Sequence, residues 1–366
     1  MNCKISPVCS YNEWDPLEEV IVGSVIGAAR MAFEPSISAY YPLNHPHRKF
    51  KGSPFTEEEV YKAEEQLNNL ALILKKEGVI VRRPDPINFH KEVKTPDFQI
   101  PVGNCSACPR DVLLIIGNEV IEAPMAQRAR FFEYRAYRSL IKEYFCKGAK
   151  WTTAPKPLMT DALYVPNFSV EENLFDADTH PALTDFEPCF DAASFVRFGR
   201  DIFYQPDVVT NDFGGQWLQR HLGPEYRLHR VKFADKHPPQ HIDTTLVPIR
   251  PGIVLVNPER PCINKTLELF YSNKWKIIEA KPSIRGVGFH SPEVSNWISM
   301  NFLSIDEKRV VVEEKEEPTI KLLESLGCQV ITCAFDEVYK FGGGVHCCTA
   351  DIRRNSQLQS YFNNIN

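Results

Sequence analysis

Apolar residues in this chain come in short paired runs, each pair followed by a stretch of helical spacing and one further run. Residues 112–116 and 120–123 flank Gly117-Asn118-Glu119, a turn sequence that predicts a hairpin. A helix is expected over 130–144 and a strand over 150–153. The same grammar recurs with hairpin runs 195–198 and 202–205, helix 217–222 and extended segment 226–233. It recurs again with 245–249 and 253–257 about a Pro251-Gly252 turn, helix 267–272 and strand 276–280. A fourth unit reads 300–305, 310–313, helix 320–325 and strand 329–333. The fifth needs both ends of the chain: 345–352 reads as one strand and 19–23 as its partner. Its helix opens on the capping box Thr56-x-x-Glu59 and carries Val60, Ala63, Leu67, Leu70 and Leu74 on one stripe. Gly78 ends that helix and a strand over 79–81 follows.

This repetition predicts an α/β fold in one domain spanning 1–366: a closed ring of five ββαβ units whose termini meet in one unit. Simple α/β layering would give parallel βαβ connections rather than hairpins. In a ring, equivalent strand ends converge on the axis. The polar residues at those ends are Asp111, Asp191, the pair His241 and Asp243, Ser295 and Cys347.

A nucleophile, an imidazole and three carboxylates suit guanidinium chemistry. Two carboxylates can grip the planar donor fork of arginine. Its carbon is a poor electrophile, so attack calls for a thiolate, and the leaving amine needs a proton that an imidazole supplies. A lone cysteine is usually core filler. Cys347, however, follows Gly342-Gly343-Gly344, which lets backbone approach a ligand closely. Cys348 alternates to the other face of the expected strand and reads as structural. His241 and Asp243 would point the same way on a strand. Asp191 reads equally as a helix or turn cap and as a site residue; Glu187 beside it reads as steadying the loop.

Composition narrows the classes. The 366 residues are 43% hydrophobic and 24% charged with net charge −5, an ordinary globular balance with no basic surface for nucleic acid. The 11 cysteines are odd in number and irregularly spaced, which points to a reducing cytosol rather than a secreted disulfide framework. The longest apolar run, 112–116, is too short for a bilayer. MNCKISPVCS shows neither a signal core nor an Arg-rich transit pattern, so a cytoplasmic location is expected. Cys105-x-x-Cys108 has no second CxxC, which disfavours zinc, and is expected to line the loop before Asp111. No nucleotide motif appears. The Pro-rich basic loop 42–54, with His45, His47 and Lys51, reads as a solvated connection or lid.

Along nearly the whole chain the sequence resembles the L-arginine:glycine amidinotransferase family. The resemblance is carried by Asn12-Glu13-Trp14-Asp15-Pro16, Arg82-Arg83-Pro84-Asp85-Pro86, Pro109-Arg110-Asp111 and Glu122-Ala123-Pro124-Met125. It continues through Arg130-Phe131-Phe132-Glu133-Tyr134-Arg135, Phe186-Glu187-Pro188-Cys189-Phe190-Asp191 and Gly342-Gly343-Gly344. It implies the pentein fold, a five-fold pseudo-symmetric α/β propeller. It also implies roles: Cys347 as the nucleophile that becomes amidino-cysteine, His241 as general acid and base, and Asp191 as its partner. Asp111 and Asp243 would be arginine ligands, and Arg260 with Ser295 the clamp on the arginine carboxylate. The family has adjacent serines where Val294 and Ser295 stand here. Members acting on glycine resemble Asn-Pro-Met just before the histidine, where this chain has Pro238-Pro239-Gln240. Pro238 and Gln240 would therefore mark acceptor specificity, with an amine larger than glycine, of the kind found in alkaloid toxin pathways such as those of saxitoxin and cylindrospermopsin.

The expected partners are thus L-arginine and an amine acceptor, with no cofactor or metal required, no nucleic acid and no membrane; dimerisation is left open. A hydrolase similar to arginine deiminase would use the same residues with water as acceptor. A non-catalytic binding propeller would have no need to keep Cys347, His241, Asp191 and Arg260 together.

Overall fold

The computed structural model describes residues 6–166, 168, 176–233, 240–263, 265–284 and 295–363. The chain begins with strand β1 (Leu17–Val22), helix α1 (Glu57–Lys76) and strand β2 (Ile80–Arg82). Next come β3 (Leu113–Ile116), β4 (Glu119–Glu122), α2 (Arg138–Cys146) and β5 (Lys150–Thr153). They are followed by β6 (Phe195–Phe198), β7 (Asp201–Tyr204), α3 (Asp212–Leu222) and β8 (Arg227–Arg230). A further unit is β9 (Leu246–Arg250), β10 (Ile253–Val256), α4 (Lys265–Ser272) and β11 (Lys276–Glu279). The last are β12 (Leu303–Ser304), β13 (Arg309–Glu313), α5 (Glu317–Ser325), β14 (Gln329–Cys333) and the terminal strand β15 (Thr349–Arg354).

These strands form five three-stranded sheets of one design among the described residues. In each, the middle strand pairs antiparallel with its hairpin partner and parallel with the strand beyond the helix. The unit built from both termini obeys the same rule: β1 is antiparallel to β15 and parallel to β2. No sheet closes on itself; the repeat is one of separate sheets.

Local chemistry explains the elements. The α1 capping box forms, with Thr56 accepting from the Glu59 amide and Glu59 reaching back to the Thr56 amide. Ala63, Leu67, Leu70 and Leu74 are buried on its stripe against β1, each leucine worth about 1.5–3 kcal/mol. Gly117 and Gly199 take positive φ in their hairpin turns, and a side chain at Gly199 would strike the Gln359 carbonyl at 2.1 Å. The fourth hairpin uses Asp306 instead, whose Oδ1 accepts from the amides of Lys308 and Arg309. Near the N-terminus, Asn12 Oδ1 accepts from the amides of Trp14 and Asp15. That turn drives Trp14 into an aromatic cluster with Phe198, Trp275 and Tyr361.

Two expectations change. The helix expected over 130–144 is helical only from Arg138; before it, the tight turns Arg128–Arg130 and Glu133–Tyr137 turn Arg130 and Glu133 inward as a buried ion pair. The strand expected over 345–352 starts at Thr349. Residues before it form a turn, with the Cys348 amide donating to the Gly344 carbonyl and the Thr349 amide to that of His346. Cys347 and Cys348 therefore do not alternate on a strand. Loop 42–54 is exposed or half-buried throughout, as expected of a solvated connection, and is tied down where Arg48 donates to the carbonyls of Ser38, Tyr41, Pro42 and Phe168 and His47 stacks on Tyr41 at 4.1 Å.

Candidate active site

Each sheet supplies a polar side chain from the segment just before its first strand. Asp111 precedes β3, Asp191 precedes β6, His241 and Asp243 precede β9, Asn301 precedes β12 and Cys347 precedes β15. All six are buried. The thiol of Cys347, a nitrogen of His241 and an oxygen of Asp111 lie within 4.8 Å of one another.

His241 is not on a strand. It adopts φ 65° and ψ 150°, a conformation rare for a residue with a side chain, and enters the tight turn Ile242–Thr244. Both its backbone groups are held there: its amide donates to Asp207 Oδ2 at 2.9 Å, and Gln205 Nε2 donates to its carbonyl at 2.8 Å. That fixed backbone, not strand alternation, brings His241 and Asp243 into one site. The ring Nε2 meets Asp191 Oδ2 at 3.1 Å, while Nδ1 lies 3.6 Å from Asp111 Oδ1. Burial alone would lower the imidazole pKa. Asp111, the hydrogen bond to Asp191 and Asp243 together outweigh it and raise it to about 9, so the ring is an imidazolium at neutral pH.

Asp191 occupies the N-cap position of a tight turn but caps nothing, and its carboxylate serves His241. The capping use that its sequence context allowed is not made. Glu187 accepts from the Leu158 amide at 2.7 Å and so steadies the neighbouring loop.

The carboxylates are organised by groups that the sequence did not single out. Arg130 donates to Asp111 Oδ2 at 2.9 Å, to Asp191 Oδ2 at 3.4 Å and to both oxygens of Glu133. Asp243 Oδ2 accepts from Asn301 Nδ2 at 2.7 Å and lies 2.8 Å from His346 Nδ1. Burial pushes the Asp243 carboxyl up, but His346, His241 and Arg110 bring it below its usual range. Asp111 moves the other way: burial dominates His241 and Arg130, and its pKa rises.

One oxygen of each aspartate is left over. Asp111 Oδ1, Asp191 Oδ1 and Asp243 Oδ1 are buried and have no hydrogen-bond partner among the described residues. Buried acceptors are ordinarily satisfied, so three orphan oxygens on the aspartates of this site ask for a donor-rich ligand. The Cys347 thiol is held protonated by burial and by the charges of Asp243 and Asp111. A cationic ligand on those carboxylates would remove that repulsion.

Asp111, His241 and Cys347 also offer the donor types of a zinc site. A metal would need the imidazole neutral, against the carboxylates that keep it protonated.

Arg260 and Ser295 lie farther out and are partly buried. Arg260 Nη1 is 3.5 Å from Thr245 Oγ1, beside the turn carrying Asp243. The two loops are joined by Trp297 Nε1 donating to Glu259 Oε2 at 3.0 Å, and Ser295 Oγ accepts from the Trp297 amide. The residue that the fourth sheet places in the buried centre is Asn301, not Ser295. Gln240 is half-buried next to His241. Pro238, Pro239 and Val294 lie outside the described residues. Cys348 is fully buried with its sulfur 3.9 Å from that of Cys108, beneath the site rather than in it.

Position in the repeat was the signal that could have found Asn301, had the expected strand 300–305 been started at Leu303. Nothing local marks Arg130, Asp207 or His346 for the site, because their bonds to Asp111, His241 and Asp243 cross 19, 34 and 103 residues.

No protein-family model matches the chain. It is 50% identical to mitochondrial glycine amidinotransferase from Gallus gallus over 98% of this chain and 86% of that protein. It is 45% identical to L-arginine:L-lysine amidinotransferase from Pseudomonas savastanoi pv. phaseolicola, over 98% of this chain and 97% of that protein. Among solved structures, an amidinotransferase of the saxitoxin biosynthetic pathway from Microseira wollei superposes with a TM-score of 0.87 at 48% identity. That match covers 97% of this chain and all of that one. With identity of this order along nearly its whole length, the chain belongs to the amidinotransferase family of the pentein fold and is a transferase.

Proposed function

We propose that the protein moves the amidino group of L-arginine through Cys347 to an acceptor amine by ping-pong chemistry at one site. The observation that carries this reading is the trio of buried oxygens without a hydrogen bond on Asp111, Asp191 and Asp243, at a site where Asp111, the His241 imidazolium and Cys347 lie within 4.8 Å of one another. A guanidinium supplies the hydrogen-bond donors they lack and the positive charge that lets Cys347 ionise.

In the first half-reaction the Cys347 thiol releases its proton to solvent as the cationic guanidinium binds, and the thiolate sulfur then bonds to the guanidinium carbon. The bond from that carbon to the side-chain nitrogen breaks, and His241 gives its proton to the departing ornithine. In the second, the acceptor nitrogen attacks the same carbon, His241 takes the amine proton, and the carbon–sulfur bond breaks. Asp191 holds the imidazole in place through both. The five sheets are read as blades around a common axis, a pentein propeller, because all five deliver a side chain to one buried cluster.

Arg260, with Ser295, is assigned to the arginine carboxylate. Arg260→Lys keeps the charge but loses the bidentate fork. It is expected to raise the KM for arginine about 10-fold or more with a smaller change in kcat, in line with a charge-assisted bond of roughly 1.5–3 kcal/mol. Agmatine, which lacks the carboxylate, should be a poor donor for the unaltered enzyme. Steady-state kinetics with both donors check this, and equal use of agmatine would place the clamp elsewhere.

The acceptor is proposed to be an amine larger than glycine. Gln240 puts a long polar side chain beside His241, where the incoming nitrogen must align, and the similar structure from Microseira wollei belongs to a natural-product pathway. A second reading, glycine as acceptor, is favoured by the 50% identity to the Gallus gallus enzyme. Incubation with amidino-labelled arginine and a panel of amines, read by mass spectrometry, tests both. Weak guanidinoacetate formation and faster labelling of a longer amine are expected. Glycine as the best acceptor would show Gln240 to be neutral. Citrulline and ammonia as the only products would replace the transferase with a hydrolase.

A further inference from the structure

We infer that Asn301 is a further catalytic residue of this site, its side-chain amide holding the Cys347 sulfur when that atom carries negative charge. The inference rests on the amidinotransferase reading for its place in the reaction. Its geometry stands independently.

Asn301 Nδ2 lies 3.0 Å from Cys347 Sγ and 2.7 Å from Asp243 Oδ2, so each amide hydrogen has its own acceptor. The orientation of the amide is determined by its other end: Oδ1 accepts from the Cys347 backbone amide at 3.0 Å, a group that can only donate. The backbones are joined as well, the His346 amide donating to the Asn301 carbonyl at 3.1 Å. Asn301 is buried, and the nucleophile turn is shaped around it. A side-chain carbon on Gly344 would come within 2.6 Å of Asn301 Oδ1 and 2.9 Å of its Cβ and Cγ. This contact gives the third glycine of Gly342-Gly343-Gly344 a reason to be glycine.

The other groups facing the sulfur oppose its ionisation or stand off from it. Asp243 Oδ2 is 3.4 Å away, and Asp111 and the buried Cys108 thiol also disfavour charge there. A His241 nitrogen is within 4.8 Å, but Nε2 is bonded to Asp191 Oδ2, and Nδ1 stands 3.6 Å from Asp111 Oδ1, beyond hydrogen-bond distance. His346, on the same turn, is occupied with Asp243. Asn301 is the neighbour that donates a hydrogen bond to sulfur among the described residues.

Charge sits on sulfur twice in the cycle. Before the first half-reaction the thiolate pair attacks the guanidinium carbon; after the second, the carbon–sulfur bond breaks and the pair returns to sulfur. Between them sulfur is a thioether, a weak acceptor. A donor that Asn301 keeps in place therefore assists both formation of the attacking thiolate and its departure as leaving group, without moving.

The test uses the full-length enzyme and iodoacetamide, without arginine, following alkylation of the Cys347 peptide by mass spectrometry across pH 6 to 10. Asn301→Ala is expected to slow alkylation at pH 8 about 10- to 100-fold by raising the pH midpoint, the range for a hydrogen bond to a charged group. Asn301→Asp keeps the shape and the bond from the Cys347 amide, so it serves if the alanine variant does not fold, and it too should raise the midpoint. A midpoint unchanged from wild type in whichever variant folds would overturn the assignment, whatever happens to turnover. Labelled arginine is run in parallel on the wild type. Absence of an amidino adduct there would sink the transferase reading while leaving the alkylation result to decide the role of Asn301.

Discussion

Replacing Cys347 by alanine is expected to reduce arginine–ornithine exchange by roughly 10⁵- to 10⁶-fold, to the detection limit, because no other group can take the covalent bond. Cys348→Ala should keep most of the activity. The two cysteines are adjacent in sequence but stand in different surroundings. Cys347 faces Asn301, Asp243 and His241, whereas Cys348 is fully buried against Cys108. Burial pushes the thiols of Cys347 and Cys348 up, and contact with Cys348 together with burial does the same for Cys108. The difference is that a bound guanidinium would neutralise the Asp111 and Asp243 charges that face Cys347. Intact-mass and peptide spectra after an acid quench should therefore show one amidino adduct, on Cys347 and only when arginine is present. An adduct mapped to Cys348 or Cys108 would refute the assignment.

Arg197→Met is expected to destabilise the fold by about 3–5 kcal/mol, the usual cost of stripping one partner from a buried ion pair. Arg197 donates to both oxygens of Glu13 at 2.7 Å and to Asp351 at 3.0 Å. Arg110 bridges the same two carboxylates, and Arg354 meets Asp351 at 2.9 Å. All five side chains are buried, and they join the N-terminal segment, the first two internal sheets and β15. Methionine would leave Glu13 and Asp351 short of a counter-ion with no water to replace it. The Lys321–Glu317 pair on α5, 75% and 72% exposed, is the control: Lys321→Ala should cost no more than about 0.5 kcal/mol. Denaturant midpoints for the two variants separate these outcomes, and equal midpoints would show the buried network to be dispensable. The pH dependence has a definite sign. Burial works against Glu13 and Asp351, but the arginines hold both well below the usual carboxylate range. Their contribution is therefore present in full above about pH 4.5 and is lost as pH falls below it. His241 acts in the opposite window: its raised pKa contributes most below about pH 6.5, and that contribution is lost as pH rises through about 9.

The network also connects to the site. His346 Nε2 lies 3.6 Å from Glu13, its Nδ1 meets Asp243, and Arg110 donates to its carbonyl at 2.8 Å. One histidine next to Cys347 thus spans the structural charges and a proposed arginine ligand.

The hydrophobic pattern by itself determined that the chain repeats one unit five times, that β1 and β15 meet across the termini, and where α1 begins and ends. These are local matters: period, caps and turn residues are written in neighbouring positions, and burial of one stripe per element follows from them. Repetition went further and singled out Asp111, Asp191, His241, Asp243 and Cys347, because equivalent positions in equivalent units share one place in space. Sequence could not decide whether Asp191 caps a turn or serves a site, since both uses look alike over a few residues. Only the tertiary structure brought Arg130 to Asp111 and Asp191, turned His241 to positive φ over Asp207 and Gln205, and seated Asn301 rather than Ser295 in the buried centre. Those outcomes depend on contacts between segments 19 to 61 residues apart. Burying these charged and polar groups is unfavourable, and only partners brought from several segments offset that cost.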